Sequence, residues 1–396
     1  MRVIHIGELN FALPTGSGMA VWSLVTGLRS LGCEIDVLRP YGKVSDGERQ
    51  RFLEAGIGIN LLSGSKREAL LAAFAHGRRI VAMRPDLVDF HSGFLPLHPI
   101  IAHALRSHGI PYLVTPHGAF HPEVLRRGRW KKSAYLHALE RRYLRYAAAV
   151  VALTEAEKLD VAAIVPDQRI DVIPNAIDAD SLALCNLARV ARRIREGGAM
   201  HAMFLGRYDV WTKGLDFLCQ LVGRLRDRGL NIELSLYGTQ DPKPDRQREF
   251  QELVNCQLPY VRINDAVYGE EKAAVLAACD VYFQTSRYEA FGISVVEAMA
   301  VGVPVVITDT MHLSSVVQQA NAGFVIPFDV DRATDILLDA FAEPNALRQK
   351  GEHGRQYVLQ NFTSESVATR TLEVYQDVLM AKKNVSAARP GLGSRA

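Results

Sequence analysis

The stretch SRYEAFGISVVEAMAVGVPVVITD, residues 286–309, decides how this chain is read. Its two acidic anchors, Glu289 and Glu297, stand eight residues apart. Just upstream, the apolar run Cys279–Thr285, which contains Phe283, reads as a buried strand, and Val303–Thr308 reads as a second. Between them lie a polar turn, Gly292 and a helical run. A helix opening near Gly292 leaves its first N–H groups without intrahelical partners. Those amides and the helix dipole both favour an anion, and a diphosphate suits such a place. Glu289 falls in the turn before the helix. Glu297 lies farther along it, placed to accept hydrogen bonds from vicinal hydroxyls. The plainer alternative is a surface glutamate in a turn and a helix glutamate paired with a lysine or arginine. Spacing alone leaves both open.

The whole phrase carries more than its spacing. With the SRYE lead-in, Phe291-Gly292 and the EAMAxGxPVV tail, it resembles the E-x7-E signature of the retaining glycosyltransferases of family 4, the glycosyl transferases group 1. That resemblance implies the GT-B fold, in which two Rossmann-like domains face a central cleft, and a nucleotide-diphosphate sugar as donor. It also implies donor contacts around Phe291, Gly292, Ile293 and Ser294, a ribose held by Glu297, and a transferred sugar oriented by Glu289.

Length and composition agree with a two-domain enzyme. A chain of 396 residues exceeds what one hydrophobic core usually supports. With 48% hydrophobic and 22% charged residues it is ordinary globular material. A formal net charge of +3 is too small to imply nucleic acid as a partner. Five cysteines, at 33, 185, 219, 256 and 279, form no CxxC pair, which fits reduced thiols in the cytoplasm. MRVIHIG enters a strand at once, so no secretory signal is expected. No apolar stretch approaches the roughly 20 residues of a membrane helix, so any membrane contact is expected to be peripheral.

Short apolar runs alternate with helix-period segments along most of the chain. Val3–Ile6, Ile35–Leu38, Ile59–Leu62, Leu87–His91, Tyr112–Thr115, Val150–Leu153 and Asp171–Ile173 read as one strand series. Met200–Leu205, Ile232–Tyr237, Tyr260–Ile263, Cys279–Thr285, Val303–Thr308 and Gly323–Ile326 read as another. This is the pattern of two doubly wound α/β domains with parallel sheets. The expected layout is a first domain over 1–175, a linker over 176–198, a second domain over 199–363, and a disordered tail over 384–396. The helical segment 364–383 is similar to the family's final helix, which packs back on the first domain. Ligands of open α/β sheets bind beyond the carboxyl ends of the strands, so the expected site is the cleft between two such domains.

The remaining candidates fall at strand ends. Gly206-Arg207 closes a strand, and Lys213-Gly214 follows after a short loop. Two cations there could neutralise a leaving diphosphate, although a strand-end arginine and a loop lysine are often mere solvated surface. GRYDVWTKGLDFL is similar to the family's GR…KG segment, which grips the donor phosphates. Gly16, Ser17 and Gly18 sit just before a predicted helix, where glycine lets backbone approach a phosphate or sugar; loop flexibility explains them equally. The family often has Gly-Gly there. Base selection is expected from backbone near Gly238 and from residues 263–267.

His117, in VTPHGAFHP, could donate a hydrogen bond to the transferred sugar or its phosphate, or could simply satisfy turn backbone. PHG looks like the family's acceptor-side histidine segment; His121 and His91 are weaker candidates. Residues 123–145 carry eight Lys or Arg with Trp130, Tyr135 and Tyr143 interleaved. Such a segment could dock on an anionic membrane near a lipid-linked acceptor, or be a solvated helix face. Asn175-Ala176 stands where relatives usually have Asn-Gly at a hinge.

No D-x-D motif stands out at a strand end, and HExxH is absent, so neither metal nor cofactor is expected. The expectation is a retaining, metal-independent hexosyltransferase that uses a UDP- or GDP-sugar and a saccharide or lipid-linked acceptor. Cell-surface polysaccharide synthesis is the expected setting. The alternatives are a non-catalytic nucleotide-sugar binder of the same fold, or an NAD(P)-dependent dehydrogenase, which would need a glycine fingerprint this chain lacks.

Overall fold

A computed structural model describes residues 1–7, 16–126, 129–191 and 198–387. Contacts divide the chain into two units: Met1–Ala176 together with the chain from Ser364 onward, and Ile177–Thr363.

Buried parallel strands must be apolar on both faces, which is why the short runs in the sequence are where the strands form. The first unit holds β1 (Arg2–Ile6), β2 (Glu34–Tyr41), β3 (Gly58–Ser63), β4 (Leu87–His91), β5 (Tyr112–Thr115), β6 (Ala149–Ala152) and β7 (Ile170–Val172). They pair in the order β3-β2-β1-β4-β5-β6-β7. The second unit holds β8 (Met200–Leu205), β9 (Ile232–Gly238), β10 (Val261–Asp265), β11 (Val281–Gln284), β12 (Val305–Thr308) and β13 (Gly323–Ile326). Their order is β10-β9-β8-β11-β12-β13. All pairings in both sheets are parallel. Each sheet is thus doubly wound, and its strand order reverses between β1 and β4 in one unit and between β8 and β11 in the other. Ligand crevices of such sheets open at that reversal, beyond the strand ends.

A core of the second unit gathers around Phe204, Leu218, Leu234 and Phe283. The first unit has one on each face of its sheet, around Phe90 and Val114 and around Val25 and Val37. The helix Ser364–Ala387 belongs to the second of these faces through Val367, Ala368 and Tyr375. It lies so close to the helix Gly16–Ser30 that a Cβ at Gly27 would meet the Ser364 carbonyl oxygen at 2.7 Å. The Ser23 and Ser364 hydroxyls are hydrogen-bonded at 2.7 Å.

Three expectations are corrected. Residues 179–191, expected within a linker, form the helix Ala179–Ala191, which packs on the helices Gly269–Ala278 and Ile293–Val301 and buries Cys185. The helical pattern was weak because few of its residues are needed at that contact. Residues 384–387, expected in the disordered tail, continue the last helix. Gly16, Ser17 and Gly18 occupy the first turn of a helix and do not precede it. The rest of that loop (8–15), the end of the expected linker (192–197), Arg127 with Gly128, and residues 388–396 lie outside the described residues.

Candidate active site

In the second unit, the geometry begins with the turn between β11 and the helix Ile293–Val301. Gly292 caps that helix in the left-handed region at φ 84°, and no side chain caps it. Ile293 and Ser294 therefore present the opening amides of a helix with no competing side-chain acceptor, the arrangement that favours an anion. Phe291 is buried and packs edge-on against Phe362 at 5.6 Å, anchoring the turn from beneath.

Glu289 lies in this turn and forms a short ion pair with Lys213, from the short helix Val210–Lys213 beyond β8. Both groups are mostly buried, with side-chain exposures of 15% for Lys213 and 20% for Glu289, so the pair is partly shielded from solvent. The Lys-Gly order has a steric cause. Gly214 takes φ +62°, and a Cβ there would meet the Thr285 carbonyl oxygen at 2.0 Å. The Thr285 hydroxyl donates to the Gly214 carbonyl at 3.1 Å, which ties this loop to the end of β11. Arg207 follows β8 and donates to buried Asp241 at 3.3 Å, yet its own side chain is 61% exposed and accessible to a ligand. Gly238 ends β9 against Gly206, where a Cβ would meet the Gly206 carbonyl oxygen at 1.9 Å. Only glycine lets the ends of β8 and β9 come so close.

Glu297 sits on the same helix as those opening amides. It is 6% exposed and accepts from Lys272 at 2.5 Å, on the helix Gly269–Ala278. Burial works against the charge on Lys272, but the adjoining Glu297 carboxylate raises its pKa above the ordinary lysine range. Glu297 is therefore lysine-paired, as the plainer reading of the sequence allowed, whereas Glu289, which that reading left on the surface, is mostly buried and paired with Lys213. The structure adds that their partners come from separate loops and helices converging on one strand-end region.

Several residues that sequence reasoning missed hold this turn. Arg287 of the SRYE phrase makes two hydrogen bonds to Asp216, at 2.8 and 2.7 Å, and a third to the Trp211 carbonyl at 2.9 Å. Its guanidinium also lies 4.4 Å above the Phe328 ring. Gln284, at the buried end of β11, accepts from Tyr282 at 2.8 Å and from Ser294 at 3.3 Å, and donates to Ser286 at 2.9 Å. A polar run, Gln284 to Ser286, at the end of an apolar strand was the available signal.

In the first unit, His117 follows β5 at φ 53°, a left-handed conformation that a histidine adopts uncommonly. Gly118 donates its N–H to the buried carboxylate of Glu157, which fixes the turn. The expected alternatives for His117 were a ligand contact or turn backbone; the partner found is His91 Nδ1, 3.1 Å from His117 Nε2. Asp89, Thr115, His91 and His117 line a cavity together with Asn175 and Thr371. Burial pushes both His91 and His117 down to about 3, so both rings are neutral at ordinary pH. Of the aromatics in 123–145, Trp130 is 87% exposed whereas Tyr143 is buried. No helix among the described residues is long and apolar enough to cross a membrane.

Comparison with known proteins agrees with this arrangement. Residues 14–181 match the model of Glycosyltransferase Family 4, and residues 199–343 match that of Glycosyl transferases group 1. Between them the matches span most of the chain, and it belongs to this family of sugar-transferring enzymes. It is 29% identical over 288 residues to the MMP alpha-(1->4)-mannosyltransferase of Mycolicibacterium hassiacum, across 68% of this chain and 66% of that protein. It is 28% identical over 392 residues to the alpha-maltose-1-phosphate synthase of Mycobacterium tuberculosis, across 92% of this chain and 95% of that protein. The fold is similar to that of Anabaena HepE, crystallised with UDP and glucose, with TM-score 0.71, 17% identity, and coverage of 95% of this chain and 100% of that one.

Proposed function

We propose that this protein is a retaining, metal-independent glycosyltransferase that moves a hexosyl unit from a UDP- or GDP-sugar to a saccharide or lipid-linked saccharide. The observation that carries this reading is the Lys213–Glu289 ion pair beside the start of the helix Ile293–Val301, which no side chain caps, with Arg207 at the neighbouring strand end. A cation, a carboxylate and free helix amides around one turn suit a diphosphate joined to a sugar. The mannosyltransferase and maltose-1-phosphate synthase names of the two relatives, and the UDP and glucose bound by the Anabaena neighbour, support the donor class.

In this reading the C1–O bond to the diphosphate breaks while the acceptor oxygen bonds to C1 on the same face. The acceptor proton passes to a phosphate oxygen of the leaving group. Arg207 and Lys213 offset the charge that develops there, with the amides of Ile293 and Ser294, and this makes a divalent ion unnecessary. Glu297 holds the ribose, and backbone near Gly238 receives the base. Glu289 and His117 orient the transferred sugar, and the turn from Gly16 to Gly18 adds contacts to phosphate or sugar. The basic segment 123–145, led by exposed Trp130, docks on anionic lipid and brings a lipid-linked acceptor within reach. This places the enzyme at the cytoplasmic face of a membrane, in cell-surface polysaccharide synthesis.

The test is nucleotide release from UDP-glucose and GDP-mannose across an acceptor panel, with the product anomer read by NMR and EDTA present in one arm. Arg207→Ala and Lys213→Ala should each lower kcat/KM by roughly 10²–10³ with folding unchanged. Near-normal turnover in both, or loss of turnover with EDTA, refutes the assignment. Failure to sediment with vesicles containing phosphatidylglycerol refutes the membrane contact alone.

A further inference from the structure

Three consecutive residues after β8, Arg207, Tyr208 and Asp209, are each held by one neighbouring segment, made of Asp241 and the helix Pro244–Asn255 that follows it. Arg207 donates to Asp241. The Tyr208 ring stacks on Phe250, with centroids 4.3 Å apart and planes 8° from parallel. Asp209 Oδ1 lies 3.2 Å from Arg246 Nη1. Asp209 in turn opens the four-residue helix Val210–Lys213, whose last residue is the lysine paired with Glu289.

Asp209 acts on that helix at its start. The same Oδ1 accepts the Thr212 N–H at 3.0 Å, which makes Asp209 the N-cap, and the Asp209 carbonyl accepts the Lys213 N–H at 2.9 Å. Isolated helices shorter than about 12 residues are marginal in water, so a single turn keeps its shape only when both ends are fixed. Gly214 against Thr285 fixes the far end, and the Asp209 cap fixes the near one. Losing the cap therefore displaces Lys213.

The plainer role for the Asp209–Arg246 pair is stability alone. Its side chains are only 10% and 14% exposed, and at such burial desolvation offsets much of the attraction, so the pair is weak evidence for a gain in stability. Arg246 also has a second carboxylate partner, Glu249 on its own helix at 2.9 Å, which would satisfy it without Asp209. What the link to Asp209 adds is direction. The guanidinium holds the carboxylate in the rotamer that aims Oδ1 at the Thr212 N–H. It also cancels a buried negative charge two residues from Arg207 and four from Lys213, which would otherwise weaken their pull on a diphosphate.

We infer that Asp209 and Arg246 are positioning residues for Lys213, Asp209 by capping its helix and Arg246 by holding the cap. Both act through Lys213, and the inference rests on the assignment of Lys213 to the donor diphosphate given above.

The experiment uses the full-length protein. It reads nucleotide release from UDP-glucose and GDP-mannose over the same acceptor panel, and affinity for UDP and GDP by calorimetry. Asp209→Ala removes the cap oxygen and should lower kcat/KM by about 10–100-fold, as a misplaced lysine would. Asp209→Asn keeps a cap oxygen and should stay within about 3-fold of wild type. Arg246→Met should lower kcat/KM by about 10-fold, and Asp209→Asn/Arg246→Met should recover most of that, because asparagine leaves no charge stranded. In a Lys213→Ala background, adding Asp209→Ala should change turnover by less than about 2-fold, or nucleotide affinity where turnover is too low to read. If Asp209→Ala does not fold, Arg246→Met completes the same cycle. Wild-type kinetics in Asp209→Ala and Arg246→Met, equal losses in Asp209→Asn and Asp209→Ala, or losses that simply add to that of Lys213→Ala, overturn the inference. Normal turnover of Lys213→Ala would instead defeat the assignment of Lys213 to the diphosphate.

Discussion

Replacing Gly214 by alanine tests whether the Lys-Gly step is built by steric necessity. The added Cβ would lie 2.0 Å from the Thr285 carbonyl oxygen, and carbon–oxygen contact normally begins near 3.3 Å, so the two backbones must part by about 1.3 Å. The left-handed φ of +62° adds roughly 1–2 kcal/mol of its own for a residue with a side chain. Gly229 supplies the control. Its φ is +97°, but nothing lies within 4 Å of its would-be Cβ, so Gly229→Ala carries the conformational cost without the collision. In urea unfolding, Gly214→Ala should be less stable than Gly229→Ala by roughly 1–3 kcal/mol, the usual cost of overpacking. The displacement falls on Lys213 and on the turn leading to Glu289, so kcat/KM should drop by about 10²-fold, as an ångström of misplacement in a site commonly does. Gly229→Ala should turn over normally. Equal stability and equal activity of the two variants would show that the close approach to Thr285 does not position Lys213.

Lys272→Met leaves the Glu297 carboxylate buried without its lysine, and should cost about 2–3 kcal/mol, below the range for fully buried pairs because Lys272 is 26% exposed. The double variant Lys272→Met/Glu297→Leu should regain most of that stability in urea unfolding, and a double variant as unstable as the single one would refute the pairing. Arg287→Lys cannot reproduce two bonds to Asp216 together with the contact over Phe328, so about 1–2 kcal/mol should be lost; a wild-type urea midpoint would count against the clamp. Burial pushes Asp89 up to about 6 from 3.8, partly offset by the hydroxyls of Tyr375 and Thr115. A raised carboxyl contributes stability that is complete below its unfolded pKa and lost as pH rises through the folded one. Asp89→Asn should therefore gain on wild type by up to roughly 3 kcal/mol between pH 4 and pH 7, and a constant difference across that range would contradict it.

The site was legible in the sequence as positions more than as interactions. Glu289, Gly292 and Glu297 could be placed because they share one strand–turn–helix phrase, and Arg207 and Lys213 because they follow a neighbouring apolar run. Their partners could not. Lys213 meets Glu289 only because β8 and β11 are adjacent in the sheet, and Lys272 meets Glu297 only because two helices pack side by side. The helix Ala179–Ala191 was missed because its pattern is sparse; its partners are the helices Gly269–Ala278 and Ile293–Val301.

By itself the sequence determined the two parallel sheets, since strands covered on both faces must be written as uninterrupted apolar runs that local chemistry reveals. The order of those strands, and the register that sets His5 beside Asp89 across β1 and β4, came from tertiary packing alone. The hydrogen bonds that join His5 to His91 and His91 to His117 link residues whose separations along the chain carry no periodicity. Neighbours across a sheet are chosen by how strands pair, and pairing is a property of the whole fold.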